Sequence, residues 1–257
     1  MDIDAGRSLA EPLVRLSGVR FSYGRHEVLH GIDLELPPGR ITGLVGPSGH
    51  GKTTIVNLIV GALRATAGTV EVLGEVAPPN RVRPQIGYMP QSEALYADLT
   101  AAENLRFFGA LYGLSRAAAN ERIPQALTAA RLGDTGGKLV GEFSGGMKRR
   151  LSLAITMLHQ PRLFVLDEPT VGLDPAHRVA LWHHFRELAD MGATFLITTH
   201  VMDEAAGCDT LAMVYEGRVI AQGSPAELMA HANVTELEGA FLAYESSSLK
   251  AAGGDNA

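Results

Sequence analysis

Residues 40–54 read RITGLVGPSGHGKTT. Ile41, Leu44 and Val45 carry the pattern of a buried strand, Gly46 to Gly51 form a glycine-rich loop, and the apolar stretch from Ile55 to Leu63 has helical length. The loop fits G-x-x-x-x-G-K-S/T between a strand and a helix, which is the context this motif requires. Its glycines let the backbone wrap closely around an anion and point successive N–H groups at it. Lys52 then brings a point charge to the β- and γ-phosphates of a nucleotide, Thr53 offers a hydroxyl to Mg2+, and the helix N-terminus adds a partial positive charge. An ordinary glycine turn before a helix is the plainer reading of these residues. The full match in its proper context outweighs it.

Working outward, the residues before this unit alternate as short strands. Val14, Leu16, Val19 to Phe21, then Val28, Leu29, Ile32, Leu34 and Leu36 are broken by Gly18, Gly24, Gly31 and the Pro37-Pro38-Gly39 turn, which predicts a small antiparallel sheet. After the helix, Thr69 to Leu73 and Ile86 to Met89 read as strands separated by a loop from Ala77 to Pro84. From Leu99 to Leu132 the chain turns rich in Ala, Leu, Arg and Glu, a helical insertion into an α/β core. The core resumes at Leu163 to Leu166, Phe195 to Thr198 and Leu211 to Tyr215, with a helix over Pro175 to Met191. The tail after Lys250, AAGGDNA, reads as disordered.

Composition narrows the function classes. With 46% hydrophobic residues in 257, the chain can bury a core. Its 22 Lys and Arg against 28 Asp and Glu give a net charge of -6, so no nucleic-acid partner is expected from bulk electrostatics. The single cysteine, Cys208, excludes an intramolecular disulfide framework and fits a reducing compartment. The longest apolar run, Thr54 to Leu63, is about half of the roughly 20 residues that span a bilayer. The N-terminus carries acids and lacks the basic and apolar regions of a signal peptide. A cytoplasmic address is expected, with any membrane role supplied by a partner.

Two further motifs carry chemistry. LFVLDEP, Leu163 to Pro169, is a buried strand ending in two acids at the edge where parallel sheets bind ligands. Asp167 is placed to face Mg2+ through water and Glu168 to polarise a water for attack on the γ-phosphate. A strand-ending turn before a proline is the bland alternative. In Phe143 to Pro161, Ser144 is expected to cap a helix opened by Gly145 and Gly146, with apolar residues at Met147, Leu151, Ile155 and Leu158. That is a second anion-binding helix end, and two in one chain suggest that one molecule closes over another's nucleotide. Lys148, Arg149 and Arg150 read as a solvated helix face.

On these residues the chain resembles the ATP-binding-cassette (ABC) ATPases, the nucleotide-binding subunits of ABC transporters, over about residues 12 to 245. The resemblance implies a phosphate-loop, RecA-like α/β core with a mostly parallel sheet, an N-terminal antiparallel β subdomain and an inserted α-helical subdomain. Residues 1–250 would form one nucleotide-binding domain, about 92–160 the insertion, and 251–257 a disordered tail. Gly46, Pro47, Ser48, Gly49, His50, Gly51, Lys52, Thr53 and Thr54 resemble the Walker A loop, and Leu163 to Glu168 resemble Walker B with Glu168 as catalytic glutamate. Ser144, Gly145 and Gly146 resemble the signature that contacts ATP in the partner subunit, and Tyr23 the aromatic that stacks on adenine. Gln91 resembles the Q-loop glutamine that reaches Mg2+ and the attacking water, Asp174 the D-loop aspartate, and His200 the switch histidine near the γ-phosphate.

This assignment implies ATP and Mg2+ as cofactors, with Thr53, Gln91 and Asp167 at the metal. It implies a second ABC subunit in a homodimer or heterodimer, and a transmembrane permease that holds the chain on the inner face of the cell membrane. The signature departs from the family's pattern, which begins with Leu and ends with Gln, at Phe143 and Met147. With KRRLSLA after it, and with YMPQSEALYADLTAAENLRFFGALYGL and EGAFLAY, it is similar to the branch that exports drugs, lipids or polysaccharides. His50 stands where a small residue is usual, and a protonated imidazole there would add an anion contact. A soluble ABC ATPase of DNA repair or translation is the alternative, but such proteins typically carry a second cassette, a coiled-coil insertion or zinc ligands. A small-molecule phosphotransferase would need no Ser-Gly-Gly, and a nucleotide sensor no Glu168 and His200.

Overall fold

A computed structural model describes residues 11–78, 80–92 and 94–253. The expectations for the N-terminal ten residues and for residues 254–257 lie outside the described residues.

Two sheets form the frame. Strands β1 (Val14–Tyr23), β2 (His26–Leu36), β4 (Ala67–Val72) and β5 (Glu75–Val76) make an antiparallel sheet in the order β2-β1-β4-β5. Strands β3 (Ile41–Val45), β6 (Ile86–Met89), β7 (Leu163–Asp167), β8 (Thr194–Thr199), β9 (Thr210–Tyr215) and β10 (Arg218–Gly223) make the second, ordered β10-β9-β3-β8-β7-β6. β6, β7, β8, β3 and β9 run parallel, and β10 closes the edge antiparallel to β9. Every residue of β3, β7 and β8 is buried, as expected for parallel strands covered on both faces.

Strand periodicity divides the apolar residues between the two faces. Leu44, Val165, Leu196, Ala212 and Val214 point to the antiparallel sheet and helix α1 (Lys52–Ile59). Ile41, Val45, Phe164, Leu166, Phe195, Ile197 and Met213 point to α5 (Pro175–Asp190), α7 (Pro225–Ala232) and α8 (Leu237–Gly253). Each fully buried side chain of this size contributes about 1.5–3 kcal/mol. Helices α2 (Ala101–Leu111), α3 (Arg116–Ala129) and α4 (Gly145–Met157) enclose a third cluster of their own around Leu105, Ile123, Leu151 and Ile155. A four-residue α6 (Met202–Ala205) follows β8.

The α/β expectation holds, with boundary corrections. The helix predicted from Ile55 to Leu63 starts at Lys52 and stops at Ile59, since Gly61 takes φ 75° and ends it in the manner of a C-terminal glycine. Helix α8 runs on through Ala251, Ala252 and Gly253, which the sequence assigned to the tail. Cys208 is buried, and burial pushes its thiol up to about 12.

Candidate active site

The phosphate loop turns from β3 into α1 under tight steric control. A Cβ on Gly46 would lie 2.1 Å from the Val214 carbonyl oxygen, so no other residue fits that place. Gly51 takes φ 102° and caps α1. Lys52 is buried at 5% exposure, and its Nζ donates to the carbonyls of Gly46 at 2.6 Å and Pro47 at 2.8 Å. Two of the ammonium's three protons are thereby used, leaving one for a ligand. Burial holds this amine below its ordinary pKa, while the Glu168 and Asp167 carboxylates pull it back up. The Thr53 hydroxyl-bearing side chain is exposed beside it. His50 is engaged within the chain: its Nδ1 accepts from the Glu216 backbone N–H at 3.0 Å, and its ring lies 4.8 Å from Tyr215. An imidazole held in this way is engaged as an acceptor, which the protonated anion contact considered from the sequence would forfeit.

At the C-terminal end of β7, the side chains of Asp167, Glu168, Gln91, Thr198 and His200 meet. Asp167 is 1% exposed; its Oδ1 accepts from the Thr198 hydroxyl, and its Oδ2 has no hydrogen-bond partner among the described residues. The Glu168 N–H donates to Thr198 Oγ1 at 2.9 Å, and its backbone sits at φ 51°, in the left-handed region. The Glu168 carboxylate accepts from Gln91 Nε2 at 3.3 Å on Oε2 and from His200 Nδ1 at 3.2 Å on Oε1. A carboxylate can only accept, so this contact calls for the His200 tautomer with its proton on Nδ1. His200 is held by its neighbours: Thr199 Oγ1 donates to Glu204 and accepts the Val201 N–H. Thus Lys52, Gln91, Asp167, Glu168 and His200, spread over 149 positions of sequence, are gathered by β3, β6, β7 and β8 ending on the same edge.

The other expected residues stand apart from this group. Tyr23 is 52% exposed at the end of β1, its ring edge-on to Phe21 at 4.8 Å. Ser144 caps α4, its hydroxyl accepting from the Met147 N–H at 3.3 Å as predicted. A Cβ on Gly145 would meet nothing within 4 Å, and one on Gly146 only the Gly172 carbonyl at 3.6 Å. Asp174 caps α5 by accepting from the His177 N–H at 3.1 Å, and its carboxylate also meets the His177 ring. Those bonds hold its pKa below the usual carboxylate range.

Two residues at the site were missed or misread from sequence. Thr198 looked only like a β-branched strand residue, yet it bridges both acids. Arg149 is not on a solvated face as predicted: it is 5% exposed and directed into the protein, while Lys148 and Arg150 are half-buried.

The ABC transporter family model matches residues 29–171, more than half of the chain. The chain belongs to the ABC transporter ATPases. It is 41% identical over 223 residues to the Nod factor export ATP-binding protein I of Ralstonia nicotianae, covering 86% of this chain and 70% of that one. The protein of the same name from a Rhizobium species is 42% identical over 224 residues, with 86% and 74% covered. Among solved structures, an ATP-binding subunit of an ABC transporter superposes with a TM-score of 0.85 at 29% identity, over 91% of this chain and 99% of that one. A bacterial Atm1-family ABC exporter with ATP bound gives 0.77 at 27%, over 90% of this chain and 42% of that one. The chain is accordingly an ATP-binding ATPase subunit that powers a transporter. No helix among its described residues is long and apolar enough to cross a membrane, and ABC ATPases of this kind dimerise and work with transmembrane partners.

Proposed function

We propose that this ABC ATPase hydrolyses ATP at two composite sites and drives export. Nucleotide bound by Gly46 to Thr54 of one cassette, with its adenine on Tyr23, is capped by Ser144, Gly145 and Gly146 of a second cassette in a homodimer or heterodimer. Asp174 lies at the seam between them. The two signature glycines support this arrangement: nothing among the described residues requires them to lack a side chain, and glycine disfavours a helix by about 1 kcal/mol. Close approach of another molecule is a reason for them.

The convergence of Gln91 and His200 on the Glu168 carboxylate carries the reading. Glu168 takes the proton of the attacking water, and Gln91 and His200 fix the orientation of the carboxylate and present Nδ1–H and amide protons around it. The residues fit Mg2+: the buried Asp167 oxygen without a partner suits a cation, with the Thr53 hydroxyl and Gln91 completing the set. When bound, the ion neutralises charge on the phosphates. Lys52 donates a hydrogen bond from its remaining N–H to the phosphate chain, and closure of the second cassette excludes water.

The names of the relatives support export, as does the signature's likeness at Met147 and Lys148-Arg149-Arg150 to the exporting branch. A permease would hold the chain against the inner face of the membrane. The exposed side chains of Tyr96 and Phe107, whose rings meet at 4.8 Å, and of Leu111 offer apolar surface suited to such a partner. Phosphate release by Glu168→Gln tests the chemistry. Turnover should fall at least about 100-fold with ATP binding kept; wild-type turnover would overturn the assignment.

A further inference from the structure

Arg149, on the second turn of α4, directs its guanidinium into the junction of the Q-loop and the end of β7. Nη1 donates to the carbonyls of Gln91 at 3.0 Å and Pro90 at 3.4 Å. Nη2 donates to the carbonyls of Asp167 at 2.9 Å and of Glu168, and Nε donates to Pro169 at 3.2 Å. The five N–H donors of a guanidinium thus meet five backbone carbonyls from two segments 76 residues apart, Gln91 and Asp167. Burying this charge is costly unless its donors are satisfied, so the carbonyls and the guanidinium require one another.

The two segments are those that end in the Gln91 and Glu168 side chains, which are themselves hydrogen-bonded. One rigid, planar group therefore fixes the backbone at both ends of that side-chain contact. It also braces Glu168 in its left-handed conformation, φ 51°, from the carbonyl side while Thr198 holds the N–H side. A non-glycine residue in this region is strained and persists where its surroundings over-determine it. Ser144 to Gly146 open the same helix that carries Arg149, so a displacement of that helix end bears on the backbone that carries the Glu168 carboxylate.

We infer that Arg149 is a positioning residue that ties the signature helix to the Q-loop and to the backbone of Glu168, setting the carboxylate for attack on ATP. This rests on the role proposed above for Glu168. Lysine cannot replace it, since an ammonium has three donors and no fork.

The test is steady-state ATP hydrolysis by the full chain carrying Arg149→Lys or Arg149→Met, beside Glu168→Gln. The expected result is a kcat lower by at least about tenfold with KM for ATP within twofold of wild type, in keeping with the sensitivity of rate to small misplacements. Arg149→Met has the larger effect, and should it fail to fold, Arg149→Lys, which keeps charge and stem, carries the measurement. A folded variant of either kind with wild-type kcat, or with a raised KM and unchanged kcat, overturns the inference. Normal turnover in Glu168→Gln would instead sink the underlying assignment, so the two failures are distinguishable.

Discussion

Thr198 shows how much one hydroxyl can organise. It donates to Asp167 and accepts from the Glu168 N–H, so Thr198→Val leaves that N–H with the Thr198 carbonyl at 3.2 Å alone and takes a donor from a buried carboxylate. A loss of about 1–3 kcal/mol of stability in chemical denaturation is expected, together with reduced turnover; an unchanged midpoint would contradict this. His159 gives the protein a pH signature of its own. It stacks on Tyr112 at 3.8 Å and makes an Nε2 hydrogen bond with the Ile86 carbonyl, and burial lowers its pKa from 6.5 to about 4. The unfolded chain binds that proton first, so stability is full above 6.5 and falls as pH drops toward 4. Thermal melts of His159→Phe should lose this part of the acid sensitivity, while an identical pH slope in the variant would refute it. The motif residues were legible because their types follow from chemistry within a few positions. Thr198 and Arg149 were not, since their partners lie 30 and 18 or more positions away and only the folded sheet brings them near.

Elements were readable wherever pattern and length agreed. β6 spans Ile86–Met89 as predicted, and the capped start of α4 falls at Ser144. The C-terminal helices α7 and α8 went unread, although Ser224, Pro225 and Glu227 carry a full capping box that signals α7. The opening of α4 also separates folding from function. Gly145→Ala has open space for its methyl and removes a poor helix former, so the folded state should be unchanged or up to about 1 kcal/mol more stable. ATP turnover should nevertheless collapse, because the methyl would stand where the second cassette approaches. A stable variant with full activity would contradict the composite site. The same substitution at Gly46 has the opposite expectation: with the Val214 oxygen 2.1 Å away, Gly46→Ala should destabilise the fold itself, as thermal melting would reveal.

For the molecule as a whole, the sequence led to an α/β core, and the structure adds how its parts are partitioned. Two apolar clusters cover the two faces of the parallel sheet, and a third belongs to the helical region alone. The phosphate loop and the paired acids lie on the sheet edge. The signature glycines lie at the mouth of a helix that reaches the backbone of the acids through Arg149. Half of each proposed site is therefore carried by each chain, which makes association the central claim. The direct measurement is the molecular mass of Glu168→Gln in solution with and without Mg2+ and ATP, by light scattering on a sizing column. A nucleotide-dependent shift from monomer to dimer, lost again in Ser144→Arg, is the predicted result. A variant that binds ATP at saturation and stays monomeric would contradict the account.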